Sequence, residues 1–162
     1  METKNIYSIP VKKSGLGLVI SDKRAHNKDH WEHAIDFILP EGTELLAAED
    51  GIVLEVKDDS SEGGLEEKYD DEKYLNFIKI KHENNEVSEY SHIKHKGALV
   101  KKGDRVEKGQ VIGLSGNTGY SSEPHLHFHV VEFDNQIKTL EIKFNKELKV
   151  IRGPPYDFNE TR

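Results

Sequence analysis

The chain has 162 residues, enough for one domain that buries roughly two thirds of its unfolded surface without covalent or metal staples. Its 23 basic and 30 acidic side chains leave a net charge of −7, which argues against a nucleic-acid partner, whose affinity comes largely from Lys and Arg neutralising phosphates. Cysteine is absent, so disulfides and thiolate zinc sites are excluded and any metal must be held by His, Asp, Glu or water. No apolar run approaches the ~18 residues of a membrane helix, and residues 1–10 lack the basic start and apolar core of a signal peptide.

Residues 5–20 mix β-branched and aromatic residues with Pro10, Gly15 and Gly17, which predicts short strands or an extended arm. Ser21 to Glu32 is polar, carries His26, His30 and the only tryptophan, Trp31, and reads as a loop. His33 to Pro40 is an apolar strand interrupted by Asp36. A carboxylate between Ile35 and Phe37 is costly in a core unless paired or bound to a cation, which makes Asp36 a site candidate; the alternative is the solvated face of a half-buried strand. Glu44 to Val56 gives two strand-like runs, joined at Glu49-Asp50-Gly51 where Asp-Gly signals a hairpin.

Residues 57–73 are dense in carboxylates, contain Gly63 and Gly64 and few apolar residues, and read as a long mobile loop. These carboxylates lack the regular oxygen-ligand spacing of a dedicated calcium loop, so a solvated acidic surface is the expectation. Two strands follow, Tyr74 to His82 and Glu86 to His92, separated by the turn formers Glu83-Asn84-Asn85; period two puts Tyr90 and His92 on one face. From Gly97 to Gly113, β-branched residues alternate with glycines at 103, 109 and 113, the rhythm of tightly turning β-structure.

The stretch from Leu114 to Val131 organises the rest. Its first half, to Pro124, is rich in Gly, Asn, Ser and Thr and predicts a structured loop. From His125 the pattern becomes period two, so that His125, His127 and His129 share one face of a strand while Leu126, Phe128 and Val130 share the other. Histidines two apart on such a face stand roughly 7 Å apart at Cα, close enough for two imidazoles to reach one ion through bonds of about 2 Å. Residues 136–151 add one or two strands, and 152–162 with Pro154-Pro155 form a tail. Long helical periodicity is absent, which predicts a single all-β sandwich or barrel-like domain over residues 1–162, with residues 1–20 as an arm and 57–73 as an insertion.

Taken together, AIDFILPEGTELLAAEDGIV, EYSHI and VKKGDRVEKGQVIGLSGNTGYSSEPHLHFHV resemble the M23 metallopeptidases, the LytM or lysostaphin-type peptidases, over residues 36–131. The resemblance implies an antiparallel LytM-type fold and a zinc endopeptidase acting on peptidoglycan cross-links or glycine-rich peptides, outside the cytoplasm or at the cell wall. It makes Asp36 and His127 zinc ligands and His92 and His125 the catalytic pair, with His129 beyond the motif as a supporting or incidental residue. The family's first ligand usually stands four residues before the Asp, where this chain has Glu32; His33 is favoured for proximity, with His30, His26 and Glu32 as the alternatives. Tyr90 either positions substrate or is buried in the core.

Two rival readings share parts of this pattern. One keeps the fold without the chemistry, as a binding domain that regulates another wall hydrolase. The other takes the Val-x-x-Gly-Asp-x-Val rhythm from Val100 as a lipoyl- or biotinyl-carrier-like domain, which lacks here the exposed Lys in a Met-Lys-Met-like setting.

Overall fold

The computed structural model describes residues 1–12, 17, 19–21 and 31–152. The predicted tail beyond Arg152, and the polar loop with His26 and His30, lie outside the described residues. The elements in chain order are β1 (Val19–Ser21), β2 (Ile35–Ile38), β3 (Glu44–Leu46), β4 (Gly51–Lys57), β5 (Gly63–Gly64), β6 (Phe77–Lys81), β7 (Glu86–Ser91), β8 (Ile93–Ala98), β9 (Arg105–Val106), β10 (Val111–Ser115), β11 (Gly119–Tyr120), β12 (His125–Glu132), β13 (Asn135–Thr139) and β14 (Ile151–Arg152). Short 3-10 turns at Glu67–Asp70, Glu72–Tyr74 and Glu83–Asn85 are the helical elements named among the described residues, so the expected all-β class holds.

Most of these strands form one nine-stranded sheet in the order β14-β1-β2-β12-β7-β6-β4-β9, with β13 also on β12; a second sheet has the order β3-β10-β8. The core lies between them. Phe37, Ile78, Ile80, Tyr90, Leu126, Phe128 and Val130 from the large sheet meet Leu45, Ile93 and Ile112 from the small one, all fully buried. Burying each such side chain contributes roughly 1.5–3 kcal/mol, so this apolar face is what sets the register of the large sheet.

β12 is the strand on which the site depends. It pairs antiparallel with β2, setting His127 opposite Asp36 and His125 opposite Ile38, and with β7, setting His127 opposite Ser91 and His129 opposite Glu89. Opposed residues project to the same side, so the outer face of three neighbouring strands gathers histidines and carboxylates while the inner face is apolar.

Three sequence expectations are corrected here. The two runs around Glu49-Asp50-Gly51 are not a hairpin: β3 pairs with β10, whereas β4 pairs with β6 and β9. Ala47 and Ala48, both fully buried, carry the chain from one sheet to the other, with Ala47 N–H donating to Gln110 O and Ala48 N–H to the Tyr90 hydroxyl. The acidic stretch 57–73 is built rather than loose, since it holds β5 and two 3-10 turns, one capped by Asp71 accepting from Lys73 N–H. Tyr90 and His92 do not share a face. Tyr90 is in the core, while His92 takes φ 66°, an uncommon left-handed value that rotates its side chain out to the histidine face. The turn at Asn84 and Asn85 is as expected, both residues having positive φ, and the glycines at 103 and 109 also sit at corners with positive φ.

The N-terminal arm is held by one buried carboxylate. Glu86 accepts from Lys4 N–H, Asn5 N–H, the Asn5 side-chain amide and the Tyr7 hydroxyl, and is itself 1 % exposed. Burial first, then the Glu86 charge, pushes the Tyr7 hydroxyl pKa far up, so it stays a donor. Glu86→Gln keeps the shape but sets an amide N–H against these donors. It is expected to cost about 1.5–3 kcal/mol, read from urea unfolding. A second expectation concerns pH. His82 is buried, with Nδ1 donating to Asp50 O at 2.7 Å and Nε2 2.7 Å from the Ser88 hydroxyl. Burial holds its pKa below the usual 6.5, against the pull of the Asp50 carbonyl and the Glu49 charge. The unfolded chain therefore takes up a proton that the fold resists, so this contribution is complete above pH 6.5 and is lost as pH falls below it. The midpoint of urea unfolding is expected to drop between about pH 7 and 5, less steeply in His82→Gln.

Candidate active site

On the outer face of β2, β12 and β7 the pairing register brings one carboxylate and several imidazoles together. Asp36 Oδ1 lies 3.1 Å from His127 Nδ1 and 3.9 Å from His125 Nε2. Ligand atoms on one tetrahedral zinc, at bonds of about 2.0–2.1 Å, stand ~3.3 Å apart, so Asp36 Oδ1 and His127 Nδ1 have the separation that a shared ion needs. His127 is buried and half-buried Asp36 faces it, which keeps this pair away from bulk water.

His92 and His125 face each other across the same space, ring centroids 4.4 Å apart. Their outer nitrogens are pinned alike. His92 Nδ1 donates to Thr118 O at 2.6 Å, and His125 Nδ1 donates to Glu123 O at 2.7 Å with the Ser121 hydroxyl at 3.1 Å. A carbonyl oxygen only accepts, so each ring carries its proton on Nδ1 and turns a free Nε2 into the site. Burial, and then the neighbouring His125 and His127, draw the His92 pKa down to about 3 against the opposing Thr118 hydrogen bond; the ring is therefore neutral at neutral pH.

His92 stands where the chain leaves the large sheet at Ser91 and enters the small one at Ile93. That corner is clamped by Asn76, fully buried. Its side chain accepts from Ser60 N–H at 3.0 Å and donates to Ser60 O at 2.8 Å and Ile93 O at 3.2 Å, while its backbone N–H donates to the Thr118 hydroxyl. The acidic insertion is tied in at the same place, because β5 pairs in parallel with β11, the strand just after Thr118. Gly63 is required there: a Cβ would stand 2.1 Å from Asn117 O. The insertion thus forms a ledge against β11, with Leu65 62 % exposed on the ledge and Tyr120 of β11 51 % exposed next to it.

Behind His127 the contacts continue. His127 Nε2 is 3.1 Å from His129 Nδ1, and His129 Nε2 is 3.5 Å from Glu89 Oε2. The Ser91 hydroxyl donates to Glu89 Oε1 at 2.8 Å, and Lys79 Nζ lies 3.8 Å from Oε2. Burial would raise the Glu89 pKa, but the facing His129, Lys79 and Ser91 outweigh it and hold the carboxyl below its usual range. Trp31 covers both rings, 5.5 Å from His127 and stacked on His129 at 6.1 Å.

Of the residues expected from sequence, Asp36, His92, His125 and His127 are brought together. His33 stands in the turn before β2, its N–H donating to Thr139 Oγ1 at 3.0 Å. Among the described residues no three His, Asp or Glu side chains are grouped so as to hold a metal ion, and His26 and His30 lie outside them. Glu89, Thr118, Asn76 and Trp31 escaped sequence reasoning. Glu89 alternates with Tyr90 in a strand-like run, but only the β7–β12 register shows that it faces His129.

One carboxylate and a set of imidazoles, without cysteine, on the outer face of an all-β domain are the donor class of a metal-dependent hydrolase. Residues 30–139 match peptidase family M23, and the chain belongs to that family. It is 38 % identical over 127 residues to an uncharacterized metalloprotease of Buchnera aphidicola subsp. Baizongia pistaciae, covering 75 % of this chain and 30 % of that protein. It is 36 % identical over 96 residues to the peptidoglycan DD-endopeptidase ShyA of Vibrio cholerae, covering 59 % of this chain and 19 % of that protein. The chain thus spans less than a third of the length of these relatives. The crystal structure of a zinc-containing peptidase from Vibrio cholerae shares the fold, with a TM-score of 0.59 at 24 % identity, over 84 % of this chain and 39 % of that one.

The corner clamp gives a test. Asn76→Ala leaves Ser60 N–H and two carbonyls without their buried partner and is expected to cost about 2–3 kcal/mol in chemical unfolding.

Proposed function

We propose that this domain is a zinc-dependent endopeptidase that hydrolyses peptide bonds in the cross-links of peptidoglycan, outside the cytoplasm. The observation that carries the reading is the approach of Asp36 Oδ1 and His127 Nδ1 to 3.1 Å, beside two imidazoles whose Nε2 atoms are free. Asp36 and His127 are two of the ligands. The third comes from the segment leading into β2, where His33 is nearest to Asp36 in sequence and His30, His26 and Glu32 are the alternatives. Zinc, when bound, acts as a Lewis acid that brings a water toward neutral pKa and polarises the scissile carbonyl.

The chain's own groups supply the rest. His92 and His125, with Nδ1 fixed on backbone carbonyls, present Nε2 lone pairs where a water proton can be taken. The imidazole that has gained that proton then donates to the developing oxyanion or to the leaving amine. Asp36 at 3.9 Å from His125 Nε2 stabilises the imidazolium so formed. The ledge of residues 57–73 and Tyr120 form one wall of a groove for an extended peptide, and the cross-link class follows from the likeness to the DD-endopeptidase.

The test joins metal content to cleavage of cross-linked peptidoglycan fragments. Purified protein is expected to hold about one zinc per chain, and Asp36→Ala and His127→Ala to lose it. His92→Ala and His125→Ala should retain zinc and lose roughly 10²–10⁴-fold in kcat. Of His26→Ala, His30→Ala, Glu32→Ala and His33→Ala, the one that releases zinc identifies the third ligand. Protein that takes up no zinc, or that binds it and cleaves no wall peptide, overturns the reading.

A further inference from the structure

We infer that the open edge of β11 is a strand for the substrate to pair with, the Tyr120 main chain exchanging N–H···O hydrogen bonds with the extended peptide. The inference rests on the endopeptidase reading and deepens it by naming how the peptide is held. β11 belongs to a two-stranded ribbon in which β5 is its neighbour. The parallel pairing sets Tyr120 opposite Gly64, with Gly119 N–H donating to Glu62 O at 3.0 Å and Ser121 N–H to Gly64 O at 3.1 Å. Alternate residues of a strand point their main-chain groups to opposite edges, so the N–H and C=O of Tyr120, between these two donors, are turned away from β5. Among the described residues neither group has a hydrogen-bond partner, and Tyr120 is exposed.

An unpaired strand edge is a ready template for another extended chain, and recognition by strand addition draws its affinity from main-chain bonds. The place of this edge decides what that chain is. Thr118 O, two residues before Tyr120, holds His92 Nδ1 at 2.6 Å, and the Ser121 hydroxyl, one residue after, is 3.1 Å from His125 Nδ1. With consecutive Cα atoms about 3.8 Å apart, the Tyr120 main chain is no more than ~13 Å from either imidazole. A strand advances about 3.3 Å per residue, so a peptide residue paired at Tyr120 is within about four residues of a bond held between those rings. The edge is also set before the peptide arrives. β5 holds it from behind, Gly119 takes φ 75° with Leu75 Cδ1 3.0 Å from where a Cβ would stand, and Ser121 Oγ donates to Asn117 Oδ1 at 2.6 Å across the turn. Pairing thus orders the peptide without having to order the protein. Because the bonds run from main chain to main chain, they select for an extended peptide with unblocked amides and not for its side chains.

The experiment follows amide hydrogen exchange at Tyr120 in the zinc-loaded protein, with and without a cross-link peptide whose scissile amide is replaced by an uncleavable phosphinate. Exchange is expected to be fast in the free protein and to slow about 10-fold or more when the peptide saturates. Tyr120→Pro removes the N–H without taking a hydrogen bond from the fold, and Tyr120→Ala removes the ring and keeps the N–H. The proline variant should keep its zinc and lose about 3–10-fold in kcat/KM, mostly through KM, and the alanine variant should lose less. Exchange at Tyr120 that a bound peptide leaves unchanged overturns the inference and keeps the endopeptidase reading intact, a result that needs no variant to fold. So does equal kcat/KM in the two variants. Exchange that is already slow without peptide and quickens on dilution marks pairing with a second copy of the chain and likewise overturns the inference. Parent protein that binds no zinc, or cleaves no wall peptide, overturns both.

Discussion

The site depends on one backbone relation, the antiparallel pairing of β12 with β2 on one side and β7 on the other. Asp36 and His127 are 91 residues apart in the chain, yet the ladder places them as direct neighbours, and the same ladder places Glu89 beside His129. Because side chains alternate, a slip of one residue in β12 would carry all three histidines into the core and Leu126, Phe128 and Val130 out of it. Each of those apolar residues is fully buried, so the slip would forfeit roughly 1.5–3 kcal/mol apiece before counting the desolvated imidazoles. The inner face therefore enforces the geometry of the outer one. Packing far from the chemistry is what holds the donor atoms in place.

His92 obeys a different constraint. Strict alternation along β7 would send it to the Tyr90 side, into the core. The positive φ at His92 breaks the alternation at the point where the chain passes from the large sheet to the small one. A non-glycine residue in this conformation costs of order 1 kcal/mol or more and persists only where its surroundings over-determine it. They do so here: Asn76 and Thr118 grip the chain through Ser60 and Ile93, and the Thr118 carbonyl takes the His92 ring. The strain is local and sits at the residue proposed to move a proton.

These two constraints explain how far the residues could be read in advance. The histidine face of β12, its apolar back and the β6–β7 hairpin were legible because period two and turn chemistry are local properties, visible in a few consecutive residues. The family motifs pointed to Asp36, His92, His125 and His127, and these are the side chains that converge. What escaped was everything set by register or by a change of sheet. Asp50-Gly51 has the chemistry of a hairpin turn, but buried Ala47 and Ala48 take the chain across the core instead. Tyr90 and His92 have the spacing of one face, and a single dihedral separates them. The carboxylates of the insertion read as a solvated loop, and they are solvated, yet its glycines pair with β11. Glu89 looked like one charge among 30 until its neighbour across the ladder was known.

The insertion is fixed in place largely by its main chain. Its contact with residues 117–121 includes a backbone ladder: Gly119 N–H donates to Glu62 O and Ser121 N–H to Gly64 O, either side of the β5–β11 pairing. Gly63 packs so close to Asn117 that no side chain could be added there. Such contacts specify position without specifying sequence, since they use no side chain of the ledge. Leu65, Glu66, Glu67 and Asp70 are exposed, and their side chains take no part in these backbone contacts. Exchanging those side chains would leave the β5–β11 pairing, and the strands that hold Asp36 and His127, as they are, because that pairing is made by the main chain.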